Sequence, residues 1–501
     1  MIDNHIIATV LVHLFTALIQ LVLPRKTVQQ MILSIAGSLV GFLLAIALFL
    51  KVYNGSILTM NAANWDAPFG IVFVADMFSV TMVLLTSVAA LSVSIFSAVG
   101  VGRARMLYGY FPIFHFLIMG LNGAFLTGDI FNLYVWFEVV IIASFVLLTL
   151  GGRKAQLEGA VKYMAMNILA STFFLTGIGI LYGITGTLNM ADLALKIPLV
   201  QDQNIVNLTA IFFLIGFGIK SAVFPLYFWL PSSYHTPPSA VAAVFGGLLT
   251  KLGLYALFRF FTLLFIPNEF LKVVFLTIGI TTILTGAFGA LIKTNIRRLL
   301  SYLIVCHIGF VIGGLGLYNK MAFVGAVFYL IHDIMVKTNL FLIAGLIRQL
   351  RGTMNMTKLG GIYAEYPKIS LLIAVVLFSL VGIPPLSGFW PKIYLIESAL
   401  FAHSYIYAAS IILGSFITLF VVAKLWSEVF WKDASQDDMI VDNFKALKSG
   451  RKTLMVLPIA ILASASLFIG LNAEFIIQVT DRIANEMIDT TPYTQAVLGN
   501  K

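Results

Sequence analysis

Only 10% of the 501 residues are charged, yet Glu138, Lys220, Lys251, Lys337 and Lys392 each fall inside a long apolar stretch. His332 and Asp333 share one of those stretches with Lys337. A lysine near a bilayer centre costs at least about 2.5 kcal/mol on insertion scales, so such residues by default suggest an ion path. Burial favours the neutral amine, and a nearby carboxylate restores its charge. Moving the carboxylate away releases the proton. Lysines and histidines joined by water can therefore pass protons laterally. Buried Asp and Glu oxygens are not clustered, which favours proton transfer over Na⁺ coordination by this chain alone.

Plainer readings stand beside this one. Glu138 and Lys220 could form an inert ion pair, and Lys251 could snorkel to an interface. Asp333 and Lys337 are spaced i,i+4 and could pair locally on one helix. His332 could be a satisfied core histidine. Lys392 could reach an interface. Lys424 and Glu428, also i,i+4, read as structural, and Asp76 and Asp129 lie near span starts where water is available.

Two of the lysines sit beside helix breakers. "FGIKSAVFPLYFWLPSSYH", from Phe217 to His235, joins Lys220 to Pro225 and Pro231. "FSLVGIPPLSGFWPKIYLI", from Phe378 to Ile396, joins Lys392 to Pro384, Pro385 and Gly388. Both read as apolar run, break, Phe-Trp, then Pro. Broken backbone is tolerated at membrane depth only where protein or water satisfies its freed groups. Paired interruptions in two halves of a chain point to an ion pathway.

These residues require transmembrane helices to carry them. The chain is 60% hydrophobic, in continuous runs rather than the alternating pattern of a barrel. The criterion of ~20 apolar residues per span gives about 14 spans, near 5–23, 29–50, 71–99, 108–127, 130–150, 160–184, 208–230, 239–262, 271–292, 299–318, 321–347, 370–398, 405–430 and 453–478. The fold class is thus an all-α polytopic membrane protein. The interrupted spans are the seventh and twelfth, an odd offset that inverts one relative to the other. Of 31 basic residues, five sit within spans, about 19 fall on one side, including the polar loop 432–452, and 7 on the other. Basic residues favour the cytoplasm, so both termini are expected outside it. The N-terminus reads as a first span, without a cleaved signal.

A single cysteine, Cys306, excludes a disulfide framework. No dinucleotide fingerprint, phosphate loop or metal-ligand spacing occurs, so no cofactor and no metal is expected. The formal charge of +10 reflects loop residues along one side of a bilayer, not nucleic-acid binding.

"GIKSAVFPLYFWLPSSYHTPPSAVAAVFGGLLTKLGLYALFRF" and "HDIMVKTNLFLIAG" carry a resemblance over nearly the whole chain. The chain resembles the antiporter-like subunits shared by multi-subunit Na⁺/H⁺ antiporters of the Mrp type, respiratory complex I and membrane-bound hydrogenases, and within them the Mrp D-subunit branch. The resemblance implies two inverted five-helix repeats, spans 4–8 and 9–13. It divides the chain into residues 1–107, 108–262, 271–430 and 431–501. It also implies a buried proton-transfer axis through Glu138, Lys220, Lys251, Lys337 and Lys392, with His332 near Lys337. Several relatives have a histidine four residues before the lysine of span eleven; Asp333 stands there and His332 is five before.

The implied function is proton translocation in a hetero-oligomeric cation/proton antiporter of a prokaryotic cell membrane, coupled to export of Na⁺, with Li⁺ or K⁺ as further candidates. The implied partners are other membrane subunits and lipid. The chain itself would be a secondary transporter subunit, not an enzyme. The alternative is a proton-pumping subunit of a respiratory NADH:quinone oxidoreductase or membrane-bound hydrogenase. A solitary solute transporter and an inert scaffold are more distant readings.

Overall fold

The structure, a computed structural model, describes residues 4–23, 26–433 and 442–499. Arg25, Lys501 and the centre of the 432–452 loop lie outside the described residues. Twelve of the described helices are long and apolar enough to cross a membrane. Two shorter apolar helices, Tyr110–Leu126 and Pro367–Val381, lie where the sequence places the fourth and twelfth spans. Such runs must close their backbone hydrogen bonds internally, because lipid offers no partners.

Helices Ser239–Leu263 and Lys320–Arg351 form the centre, with the most apolar window of each wholly buried. Helices His5–Val22, Thr27–Tyr53, Lys154–Thr185 and Glu269–Leu291 are peripheral and expose apolar side chains outward. The centre is therefore where an ionisable side chain is furthest from lipid.

Two expectations are corrected. The run 71–99 is not one helix. Strand Val72–Ala75 pairs antiparallel with strand Leu58–Asn61, Leu58 opposite Ala75, so one small sheet accompanies the helices. Asp76 then caps helix Met77–Gly100. Its carboxylate accepts from the Ser79 amide at 2.8 Å, while the Ser79 hydroxyl accepts from the Asp76 amide at 3.0 Å. This reciprocal cap fixes the helix start after the strand. The last expected span, 453–478, also divides. The apolar helix ends at Leu471, and Ala473–Ile488 is amphipathic.

That amphipathic helix folds back over early segments. Arg482 donates to the carbonyls of Tyr53 at 2.8 Å and Gly55 at 3.1 Å. The Met77 amide donates to Glu486 at 3.0 Å, and Asp481 pairs with Lys320 at 2.8 Å.

Two short backbone bridges have the same form. Around Asp129 and Asn189, the Ile130 amide donates to Leu188 and the Met190 amide to Gly128. Around Asn295 and Asn355, the Ile296 amide donates to Met354 and the Met356 amide to Thr294. In each, an Asp or Asn caps the helix that follows.

Candidate functional site

The two interruptions create the first requirement of the site, backbone groups and lysines at one depth. Helix Gln203–Ser221 ends one residue past Lys220, where Ala222 takes a left-handed φ of 58°. A left-handed alanine is uncommon, and protein groups hold it there. The Val223 amide donates to Gly218 at 3.1 Å and the Phe224 amide to Thr282 Oγ1 at 2.9 Å. The Trp229 indole donates to the Ile219 carbonyl at 3.0 Å. In the second interruption, helix Pro367–Val381 ends at Gly382, φ 86°, and Lys392 Nζ donates to the freed Val381 carbonyl at 2.6 Å. Both lysines thus lie at the negative end of a half-helix, where a cation is favoured.

Glu138 and Lys220 belong to one group but do not form an ion pair. Ser171 stands between them. Its hydroxyl donates to Glu138 Oε1 at 2.5 Å and accepts from Lys220 Nζ at 3.3 Å. The ammonium also lies 5.1 Å from the centre of the Phe137 ring, a cation–π distance. Glu138 is partly exposed and lines a cavity of about 270 Å³ between helices Ile130–Thr149 and Lys154–Thr185. Lys220 is buried.

Lys251 and Asp333 form the second group. Lys251 Nζ meets Asp333 Oδ2 at 2.8 Å, with both side chains almost fully buried, and donates to the Gly246 carbonyl at 2.8 Å. That carbonyl belongs to a π-helical turn, Phe245–Leu249, a widening often found at functional sites. Gly246 and Gly247 let this helix approach Lys320–Arg351 closely. A Cβ on Gly247 would lie 2.0 Å from Thr338 Oγ1, and one on Gly246 2.5 Å from the Phe341 ring.

Asp333 serves further partners through its other oxygen. Oδ1 lies 3.3 Å from His307 Nδ1 and 3.9 Å from Lys337 Nζ. Lys337 Nζ is buried with no hydrogen-bond partner among the described residues. His332 turns away from this cluster. Its Nδ1 is 2.8 Å from Ser387 Oγ, inside the second interruption, and its Nε2 is unpartnered among the described residues. His332 thereby bridges the long helix to the break that carries Lys392.

The structure thus gathers the expected residues into Glu138–Ser171–Lys220, Lys251–Asp333–Lys337 and His332–Ser387 beside Lys392. The first two groups meet through backbone. A Cβ on Gly253 would fall 2.5 Å from Ser221 Oγ and 2.8 Å from the Ser221 amide nitrogen. Among the described residues no group of three or more His, Cys, Asp or Glu could hold a metal ion.

Four readings change. Asp333 is primarily the partner of Lys251 on another helix; its i,i+4 contact with Lys337 is the longer one. Asp76 is not in water but buried, paired with Arg259 at 2.5 Å. Asp129 is buried and caps its helix, accepting from the Asn132 amide at 2.7 Å. Glu428 pairs with Lys432 at 3.3 Å rather than with Lys424. Sequence reasoning missed Ser171 and His307. His307, a histidine inside an apolar span, meets the criterion that selected His332. The hydroxyl of Ser171 carries no such signal.

Comparison with known proteins agrees with this fold. Residues 127–418 match the family model for the membrane domain of the NADH:quinone oxidoreductase/Mrp antiporter. The D subunit of the Na⁺/H⁺ antiporter of Alkalihalophilus pseudofirmus is 39% identical over 99% of both chains. Its counterpart in Bacillus subtilis is 36% identical over 99% of both. Among solved structures, a chain of the Mrp complex from a Dietzia species superposes with a TM-score of 0.91 at 28% identity, covering 99% of this chain and 100% of that one. A chain of respiratory complex I from Thermus thermophilus shares the fold, with a TM-score of 0.81 at 22% identity over 97% and 100%. The chain belongs to the NADH:quinone oxidoreductase/Mrp antiporter family.

Proposed function

We infer that this chain is the D-type subunit of a hetero-oligomeric Na⁺/H⁺ antiporter in a prokaryotic cell membrane, moving protons through its buried lysines, carboxylates and histidines. Near-full-length similarity to Na⁺/H⁺ antiporter D subunits supports the complex and the exchange. The observation that carries the proton path is the sharing of Asp333 between Lys251 on one oxygen and His307 and Lys337 on the other. A carboxylate with two opposed claimants is a two-position switch. When it holds Lys251, Lys337 is without a full counter-charge and gives up its proton readily; when Lys251 withdraws, Asp333 turns to Lys337 and recharges it. The Gly246 carbonyl offers Lys251 an alternative partner.

Ser171 works as a hydroxyl relay, accepting from Lys220 while donating to Glu138. His332 and Ser387 continue the path toward Lys392. The paired backbone bridges and the matching half-helix ends support 14 spans, with inverted repeats over 108–262 and 271–430, spans 1–3 before them and 431–501 after. The names of the D-subunit relatives support Na⁺ as the coupled cation.

The test is antiport by the complete complex in everted vesicles, read as Na⁺-induced ΔpH fluorescence. Asp333→Asn is expected to abolish the signal while the complex assembles. Normal exchange by an assembled Asp333→Asn complex would overturn the assignment.

A further inference from the structure

Away from the lysine axis, four arginines converge on one cavity of about 310 Å³. Arg105 comes from the short helix Arg103–Leu107, and Arg153 precedes helix Lys154–Thr185. Arg297 stands in the first turn of Ile296–Leu317, and Arg348 in the last turn of Lys320–Arg351. No carboxylate lines this cavity among the described residues. Four like charges gathered without a counter-charge among the described residues repel one another, and each remains only where something offsets the repulsion. Burial, and the charges of Arg153 and Arg348, hold the Arg105 pKa below its ordinary value.

Arg297 adds a second, independent observation. It is 4% exposed, and its Nε has no hydrogen-bond partner among the described residues. Its Nη1 donates to the carbonyls of His235, at 3.2 Å, and Pro237. A buried charged donor left unpaired carries its full desolvation penalty, so this N–H requires an acceptor. The cavity also meets the start of helix Ser239–Leu263. Pro238 gives that first turn no side-chain cap, and Pro238 and Ser239 both line the cavity.

We propose that this cavity binds the phosphate group of an anionic phospholipid headgroup. Guanidinium forks match phosphate oxygens in geometry and charge. All four arginines stand at ends of membrane-crossing helices or in their connections, the depth at which headgroup phosphates lie. Basic pockets between transmembrane helices recognise such headgroups. A phosphate there would reach Arg297 and, through it, the His235 and Pro237 carbonyls. It would brace the connection between the interrupted helix of Lys220 and the helix of Lys251.

The experiment uses the intact complex. Native mass spectrometry after detergent exchange compares wild type with R153Q/R348Q, which alters two exposed rim residues. The expected result is anionic phospholipid retained by wild type and depleted several-fold in the variant, with retained zwitterionic lipid unchanged. Thermal unfolding of delipidated wild-type complex is then followed with phosphatidylglycerol, phosphatidylcholine or inorganic phosphate. Stabilisation by phosphatidylglycerol but not phosphatidylcholine supports a lipid source. Stabilisation by inorganic phosphate alone supports the same chemistry from free phosphate. If neither anion stabilises wild type, or if the variant retains lipid and responds as wild type does, the proposal is overturned. If the variant does not assemble, the wild-type melting comparison decides by itself.

Discussion

The Lys251 ammonium and the Asp333 carboxylate meet at 2.8 Å with both side chains almost wholly buried. Removing one partner of a buried pair strands the other and costs about 3–5 kcal/mol. Asp333→Asn is therefore expected to lower the melting temperature of the assembled complex and to silence antiport. Lys251→Met/Asp333→Leu replaces the pair by apolar groups and is expected to recover part of the stability, since His307 and Lys337 still lose Asp333, but no transport. Recovery of exchange in the double variant would make the pair structural.

Ser171 predicts a graded series in the first group. Ser171→Thr keeps the hydroxyl and is expected to retain much of the exchange. Ser171→Ala removes the hydroxyl bridge between Glu138 and Lys220 and is expected to slow it strongly. Lys220→Ala and Lys220→Arg should both be inactive, because an arginine does not release its proton at working pH. A double-mutant cycle on Glu138→Gln and Lys220→Met, scored as antiport per assembled complex, measures their coupling. Transport restored in the double variant would exclude a proton carrier at Lys220.

Two glycines are expected to respond differently to the same change. At Gly247, the clash of an added Cβ is with the Thr338 hydroxyl, a side-chain atom. Gly247→Ala should cost about 1–3 kcal/mol, and Thr338→Ala should relieve much of it. At Gly253 the obstacle includes the Ser221 amide nitrogen at 2.8 Å. Gly253→Ala should therefore stay defective when combined with Ser221→Ala. Thermal melts of the four variants decide.

His235, in the connection before helix Ser239–Leu263, has its pKa pushed down from 6.5 to about 4 by burial and then by the charge of Arg298. Folding thus prefers the neutral ring. Its contribution to stability is fully present above pH 6.5 and is lost as pH falls from 6.5 toward 4. His235→Asn should flatten the acid dependence of the melting temperature across that interval. An unchanged slope would show that other groups set it.

Orientation is testable at described positions on opposite sides. A cysteine at Asn64 is expected to react with an impermeant reagent added to intact cells, and one at Lys358 only after permeabilisation. Cys306 is buried and contributes little background. The reverse labelling pattern would invert the assignment.

Lys220 and Lys392 were legible in the sequence because a charge and a backbone breaker together contradict an apolar span. The Lys251–Asp333 pair was not. Sequence shows neighbours along one helix, so Asp333 pointed to Lys337, while its closer partner comes from a distant helix through the Gly246–Gly247 approach. Asp76 looked wet because it lies near a span end; packing against Arg259 buried it. The strand Val72–Ala75 was hidden because its apolar residues run directly into the next helix. The Asp76–Ser79 capping pair was the visible sign of that boundary.

The fold-back of Ala473–Ile488 sets an order of assembly. Its contacts with Tyr53, Gly55 and Met77 span more than four hundred residues of sequence. A ribosome must deliver nearly all intervening helices to the membrane before those contacts can form. The segments on either side of the hairpin Leu58–Ala75 therefore wait through most of synthesis for these bonds. Premature termination within the amphipathic helix would leave the Tyr53 and Gly55 carbonyls without the donor that Arg482 supplies.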